Sequence, residues 1–175
     1  MKNTNDSRVL KHRELFFWAL ADVICEDEYN FSIRVADVCK RAGMSRATFE
    51  RDYSHVGEIL KKKDDELIKE FYKMQLCGCS PEIIWRKILY FMVRNKEYFL
   101  FEFKFPRYHL LWRVFLAIRD VLPGKIVDDI FSVYCCEIWG MLRIWCLRGM
   151  EVGEIPALSR KLVVLAETAM ARLNI

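Results

Sequence analysis

The sequence predicts an all-α fold, in which an N-terminal three-helix unit with a helix-turn-helix precedes a helical core of about five to six helices. Glycine and proline number only 7 and 4 among 175 residues, and chains built of strands and turns need more of both. Hydrophobic residues make up 53% of the chain, which is enough for a packed core. Apolar residues recur at helical spacing in most segments, which favours helices over strands.

The N-terminal part of the chain contains three predicted helices. In residues 10–29, six apolar side chains recur at helical spacing and predict one buried face: Leu15, Phe16, Ala19, Leu20, Val23 and Ile24. A short second helix, RVADVCKRA at 34–42, is expected to end before Gly43, because glycine is common just past a helix. Ser45 is expected to cap the third helix, RATFERDY at 46–53, through its side-chain oxygen.

A long fourth helix is predicted at 55–74, HVGEILKKKDDELIKEFYKM, with Ser54 as its cap. Its buried stripe is expected to consist of Leu60, Leu67, Phe71 and Met74. The charged run KKKDDE at 61–66 is expected to form its solvated face.

The fifth predicted helix begins with Ser80 as its cap and Pro81 in its first turn, and it runs to about Asn95. Residues 98–106, YFLFEFKFP, alternate apolar and charged side chains, and this pattern alone favours a strand. The sequence offers no partner strand, so we expect a helix that passes into a loop at Pro106.

The last two predicted helices cover residues 125–148 and 155–173. The first is apolar on nearly every side, and a helix of that kind is normally buried. Because it lies at the end of a small domain, burial on both sides predicts a homodimer, with Leu142→Glu or Trp145→Glu giving monomers or aggregates. Seven residues form the expected dimer interface: Ile130, Tyr134, Ile138, Leu142, Trp145, Leu162 and Leu165.

Composition argues against several classes of function. The formal net charge of +4 is too small to indicate nucleic-acid binding by itself. The three histidines, His12, His55 and His109, lie in different segments, and none has a nucleophile and carboxylate at a useful spacing. No glycine-rich phosphate loop is present, so we expect no enzyme and no cofactor.

Cysteine usage and hydropathy predict a reduced, cytoplasmic protein. The seven cysteines lie mostly in apolar, helix-like stretches, where a thiol packs as a small hydrophobe. The pair CGC at 77–79 lacks a second pair of ligands, so a metal or redox role is the lesser alternative. The longest run without a charged residue spans 74–81, far short of the roughly 20 residues of a membrane span. The N-terminus carries no apolar signal segment.

Residues 34–53 follow the pattern of a helix-turn-helix: a helix, an Ala-Gly turn and a short second helix. The second helix is short because only its first turns have to reach base edges in the major groove. The stretch IRVADVCKRAGMSRATFERDYSHVGEIL at 33–60 resembles the DNA-binding signature of the tetracycline-repressor (TetR) family of transcriptional regulators. The matching residues are Val35, Asp37, Val38, Cys39, Ala42, Gly43, Ser45, Arg46, Thr48, Phe49, Tyr53 and Leu60. NKEYF at 95–99 and GMLRIWCLRGMEVGEI at 140–155 are similar to the remainder of small members.

The resemblance implies a homodimeric regulator, more often a repressor, that binds a palindromic operator on double-stranded DNA. Residues 1–53 would form the DNA-binding domain and 54–175 the regulatory and dimerisation domain, whose last two helices pair with those of a second subunit. Nine residues are the expected DNA-binding set: Arg34, Ser45, Arg46, Ala47, Thr48, Glu50, Arg51, Tyr53 and His55. Phe49 is expected to lie in the core, whereas Tyr53 is expected either to pack or to reach a phosphate.

Three positions depart from what the family usually carries. Arg34 stands where a Thr or Ser caps the second helix, Glu50 where a Tyr meets the DNA backbone, and Val56 where a Lys meets a phosphate. Each phosphate contact contributes to affinity through counterion release. Residues 34–51 still contain five basic side chains and only two acidic ones. The alternative hypothesis is a co-regulator of the same fold that has lost DNA binding and contacts another protein.

A set of aromatic side chains in the second half either fills the core or lines a pocket for a small apolar or aromatic effector. Aromatic residues at helical spacing are more often core. The candidate pocket residues are Trp85, Phe91, Tyr98, Tyr108, Trp112 and Trp139.

Overall fold

A computed structural model describes residues 7–26, 33–104, 113–114, 116 and 128–171, without the side chains of 128–133, 169 and 170. Within these ranges the chain is all-α, as predicted, with eight α-helices and no strand. The helices are α1 (Ser7–Glu26), α2 (Val35–Ala42), α3 (Arg46–Asp52), α4 (Gly57–Tyr72), α5 (Pro81–Arg94), α6 (Lys96–Lys104), α7 (Asp128–Leu147) and α8 (Ile155–Ala171). One turn of 3-10 helix, Val152–Glu154, precedes α8.

The chain divides into two compact units, residues 1–67 and 68–175. The division falls inside α4, whereas the sequence placed a domain boundary after Tyr53. The start of α4 belongs to the first unit because its side chains reach back to the helices before it. Arg13 on α1 donates a hydrogen bond to Glu66 at 3.1 Å, and the Nζ atom of Lys62 lies 4.9 Å from the centre of the Tyr53 ring.

The core of the first unit is built on α1, which packs against α2, while α2 packs against α3. The ring of Phe16 meets those of Phe49 and Tyr53 edge-on, at centroid distances of 5.6 and 5.7 Å. Five residues of α1 are buried: Phe16, Phe17, Ala19, Leu20 and Ala21. The buried face of α1 differs from the predicted one by part of a turn: Leu15, expected to be buried, is 40% exposed, and Phe17 is buried instead.

Helix α4 begins at Gly57, not at His55 as expected. Of the predicted stripe, Leu67 and Phe71 are buried, whereas Leu60 and Met74 are half-buried, and Ile59 is buried in place of Leu60.

The prediction of a solvated face at 61–66 is wrong in part, because Asp64 is only 1% exposed. Six consecutive residues turn by about 100° each, so they pass all the way round a helix and cannot share one face. Lys61 is exposed, and the other four residues of the run are half-buried.

The second unit contains the end of α4 and helices α5 to α8, with α5 against α8, α6 against α7 and α7 against α8. Ser80 caps α5 by accepting a hydrogen bond from the N–H of Ile83 at 3.5 Å, and Pro81 occupies the first turn, as predicted. Residues 96–104 are helical, so the alternating pattern that favours a strand does not produce one. Pro106, the predicted end of that helix, lies outside the described residues.

Most residues of the expected dimer interface are buried within a single chain. Tyr134, Ile138, Leu142, Trp145 and Leu162 are each at most 3% exposed, and Leu165 is half-buried. Side chains already covered by their own chain have little surface to give a partner subunit. The side chain of Ile130 lies outside the described residues.

The apolar residues that do reach the surface of the last two helices are different ones. On α7, Ile144 is 58% and Leu147 is 53% exposed, and on α8, Val164 is 59% exposed. Helix α7 thus has both a buried face and an exposed apolar face, and the sequence pattern alone does not separate the two.

Candidate nucleic-acid interface

The turn between α2 and α3 depends on Gly43. Its φ angle is +64°, a left-handed conformation that side chains resist. In this conformation the N–H of Gly43 donates to the carbonyl of Lys40 at 3.3 Å, and that of Met44 donates to the carbonyl of Cys39 at 3.0 Å. These bonds close the end of α2 and redirect the chain within three residues, so that α3 starts at Arg46.

Helix α3 is capped and anchored on its inner side. The Ser45 hydroxyl oxygen accepts a hydrogen bond from the N–H of Thr48 at 3.1 Å, and the two side-chain oxygens lie 2.9 Å apart. Phe49 is buried, as expected, and fixes the inner face against α1. Ser45 and Thr48 therefore serve the local structure first.

The outer face of α3 carries Arg46, Ala47, Glu50 and Arg51, all of them exposed. Arg46 donates from Nε to Oε1 of Glu50 at 2.7 Å, one helical turn away. This hydrogen bond and the charge of the carboxylate raise the pKa of the Arg46 guanidinium. These four members of the predicted DNA-binding set thus lie on one short helix face, where Arg46 and Glu50 form an ion pair.

Arg34 does not cap α2 with its side chain, in agreement with the prediction. It instead binds the carboxylate of Asp37 with two parallel hydrogen bonds, of 2.9 and 3.0 Å. The bond to Arg34 is the main cause of the lowered pKa of Asp37.

Two more basic side chains of this region are paired with acids that lie beyond the 34–51 window. Arg51 bonds Asp52 at 3.1 Å and lies 3.3 Å from Nδ1 of His12 on α1. Arg41 bonds Glu26, at the end of α1. The count of basic and acidic residues between 34 and 51 therefore overstates the positive charge of the folded surface, because it leaves out the carboxylates of Asp52 and Glu26.

Tyr53 packs and does not reach a phosphate, because it is only 3% exposed. Burial raises the pKa of its hydroxyl well above the usual value. Of the expected DNA-binding set, His55 is exposed in the turn before α4. Val56, the third position that departs from the TetR pattern, is half-buried in that turn.

Glu58 closes the turn between α3 and α4, a role that the sequence reading missed. The N–H and the hydroxyl of Ser54 each donate to Oε2 of Glu58 at 2.7 Å, and Lys62 lies 3.2 Å from Oε1. The signal was the spacing Ser-x-x-x-Glu, close to that of a capping box. The hydrogen bonds from Ser54, with a smaller contribution from Lys62, lower the pKa of Glu58 to about 2.

We expect Glu58→Gln to remove part of the acid sensitivity of the fold. Because the folded-state pKa is about 2 and the ordinary value is 4.5, the stabilisation by Glu58 is present above about pH 4.5 and is lost as the pH falls towards 2. At pH 7 the variant should lose on the order of 1 kcal/mol in the free energy of unfolding. Urea unfolding between pH 7 and pH 2.5 measures the free energy of unfolding of both proteins and its dependence on pH. If this free energy falls with pH below 4.5 as steeply in the variant as in the wild type, the assignment is contradicted.

Two of the predicted pocket residues line a small cavity. Trp85 and Phe91 line a cavity in the second unit together with Ile88, Met92, Phe99, Val114 and Leu142. Its volume of about 10 Å³ is room for roughly one water molecule. It is therefore too small for an aromatic effector.

Two other residues of the predicted pocket have structural contacts of their own. Tyr98 donates to Oε1 of Glu102 at 2.9 Å, and the ring of Trp139 lies 5.8 Å from that of Phe103. Tyr108 and Trp112 lie outside the described residues. Among the residues that are described, no group of three or more His, Cys, Asp and Glu side chains is placed to hold a metal ion.

All seven cysteines are free thiols. Burial raises the pKa of Cys135 to about 12 and that of Cys146 further still, which agrees with a packing role for these two residues. None of the helices in the described part of the chain is long and apolar enough to cross a membrane.

Comparison with known proteins gives no relative. No family model matches the chain, and no curated protein and no solved structure is significantly similar to it.

Proposed function

We propose that this chain is a homodimeric, sequence-specific DNA-binding regulator, most simply a repressor, that reads a palindromic operator with α3. The observation that carries the proposal is the construction of α3. A glycine turn and a serine cap start a helix of seven residues, Phe49 holds its inner face, and its outer face is entirely exposed. A recognition helix needs such a fixed inner side and an open outer side, with one or two turns in the major groove.

The resemblance of residues 33–60 to the TetR signature supports the same assignment. Gly43, Ser45 and Phe49 match that signature, and they are the residues that give α3 its turn, its cap and its anchor. The likeness therefore includes the residues that a helix-turn-helix requires physically.

A dimer is part of the proposal because a palindromic operator mirrors the two-fold symmetry of the protein. The outer faces of α7 and α8 are the candidate interface. Ile144 and Leu147 lie three positions apart on α7, and both are more than half exposed, as is Val164 on α8. Exposed large apolar side chains that share a helix face are typical of protein contact surfaces. This interface replaces the one expected from the sequence.

The alternative, a co-regulator that binds a protein instead of DNA, is favoured by one specific observation. Four of the five basic residues between 34 and 51 are already ion-paired within the chain: Arg34, Arg41, Arg46 and Arg51. Exposed pairs of this kind are worth at most about 1 kcal/mol each, so a phosphate can displace the carboxylate at small cost. DNA binding therefore remains the better-supported function.

A binding titration of the full-length protein on double-stranded DNA tests the proposal. We expect enrichment of a palindromic sequence from a random DNA library. We also expect affinity to fall steeply between 50 and 200 mM salt, because phosphate contacts release counterions. Gly43→Val, which forces a side chain into the left-handed turn, should abolish binding, whereas Gly153→Val in the exposed turn before α8 should not. Absence of binding even at 50 mM salt would sink the proposal and favour the co-regulator.

A further inference from the structure

We infer that Arg46 and Glu50 act together as a guanine reader, in which Glu50 orients the guanidinium of Arg46 towards the edge of a guanine base. This inference rests on the proposed function, because it names the base that the outer face of α3 recognises. The observation behind it is the ion pair on that face, with Nε of Arg46 at 2.7 Å from Oε1 of Glu50.

The hydrogen bond between the two residues involves one of the donor atoms of Arg46, and the Arg46 side chain is 76% exposed. The hydrogen bond to Glu50 uses Nε, so the two terminal Nη groups are left to donate elsewhere. Two parallel N–H donors match the O6 and N7 acceptors of guanine in the major groove, which is the most common specific contact between a side chain and a base. An arginine tied to the next helical turn also loses less side-chain freedom on binding than a free one does.

Charge argues for a base contact over a phosphate contact. The Glu50 carboxylate lies 2.7 Å from Arg46, so the ion pair has no net charge, and the carboxylate itself repels a phosphate. The Nη–H donors of Arg46 are still present. A neutral acceptor such as guanine is affected less by that carboxylate than an anion is. The pair is thus better suited to specifying a base than to binding the backbone.

The position of the pair on α3 agrees with this role. The side chain of Arg46 is 76% exposed and that of Glu50 is 58% exposed. They lie in the first two turns of the helix, which are the turns that approach base edges in a helix-turn-helix. Ala47, between them in sequence, is small and exposed, and it leaves room for close approach.

The competing assignment is that Glu50 itself accepts a hydrogen bond from the amino group of cytosine. Because cytosine pairs with guanine, sequence preference alone does not separate the two readings. Replacing the guanine by 7-deazaguanine does, since this analogue lacks the N7 acceptor used by arginine and still pairs with cytosine.

The experiment uses DNA selected from a random double-stranded library by the full-length protein. At the guanine that depends on Arg46, replacement of G·C by A·T should weaken wild-type binding by roughly 5-fold to 150-fold. Arg46→Met, which keeps most of the side-chain length and removes every N–H donor, should reduce that ratio to within about twofold. 7-Deazaguanine should weaken binding by the wild type and leave binding by Arg46→Met unchanged.

Arg34→Met is the matched control, because Arg34 has the same 76% side-chain exposure and is also ion-paired on the surface. It should change the affinity for all DNA sequences alike and keep the guanine preference. Glu50→Gln should tighten binding to scrambled DNA severalfold, because a carboxylate near phosphates is removed, and it should lower the guanine preference.

Two outcomes overturn the inference and leave the proposed function intact: a guanine preference that Arg46→Met retains, or one that is insensitive to 7-deazaguanine and is lost in Glu50→Gln. The second of these would assign the reading to Glu50. Failure to select any DNA at all would instead count against the proposed function.

Discussion

Phe16→Ala is expected to lower the free energy of unfolding of the first unit by about 3–5 kcal/mol. Phe16 is fully buried, and its ring makes edge contacts with both Phe49 on α3 and Tyr53 after it. Removing it deletes the buried ring and leaves a cavity between α1 and α3. Each aromatic contact adds about 0.5–1.5 kcal/mol to the effect of burial alone. Urea unfolding of the full-length protein, followed by circular dichroism, measures the change.

The neighbouring residue supplies the control. Leu15 precedes Phe16 on the same helix, is also large and apolar, and is 40% exposed. Leu15→Ala should therefore cost less than about 1 kcal/mol, because little buried surface is lost. Since α3 is held through Phe49, Phe16→Ala should also weaken DNA binding at temperatures where the protein stays folded. Equal destabilisation by the two variants would show that the face of α1 has been assigned wrongly.

Local signals were enough to predict most helices. Ser45 and Ser80 are caps, Gly43 ends α2, and Pro81 opens α5, each for a reason that depends only on nearby residues. These features are determined within one or two turns of chain. Sequence patterns are most reliable where the physical cause is local.

The sequence could not predict which carboxylate meets which arginine. Glu26 reaches Arg41 across 15 positions, and this contact depends on how α1 and α2 pack. The Arg46–Glu50 pair, by contrast, has the spacing of one helical turn and was available from the sequence. Reading Glu50 only as a departure from the TetR pattern concealed that pairing.

The sequence also could not predict which apolar residues of the second unit are buried. When nearly all positions of a helix are apolar, the pattern does not show which face meets its own chain and which meets a partner. Leu142 and Ile144 are two positions apart, yet they are 1% and 58% exposed. Only tertiary packing separates them.

That difference gives the last prediction, which compares Leu142→Glu with Ile144→Glu. Leu142→Glu should unfold the second unit, because it removes a buried leucine at a cost of about 2–5 kcal/mol and places a carboxylate in an apolar cavity wall. These two costs together are comparable with the whole free energy of unfolding of an ordinary domain, about 5–15 kcal/mol. We expect lost helical signal and aggregation, which is one of the two outcomes, monomers or aggregates, that the sequence led us to expect.

Ile144→Glu should leave the fold intact, because substitutions at exposed positions usually change stability by less than about 0.5 kcal/mol. If the outer faces of α7 and α8 form the dimer, symmetry places two copies of the new charge in one interface, and their repulsion should separate the subunits. Light scattering should then give twice the 20.9 kDa chain mass for the wild type and a single chain mass for Ile144→Glu. Gln replaces Glu in the control variant Ile144→Gln, which should dissociate less because it adds no charge. A wild-type protein that is already monomeric, or an Ile144→Glu variant that remains a dimer, would exclude this face as the interface.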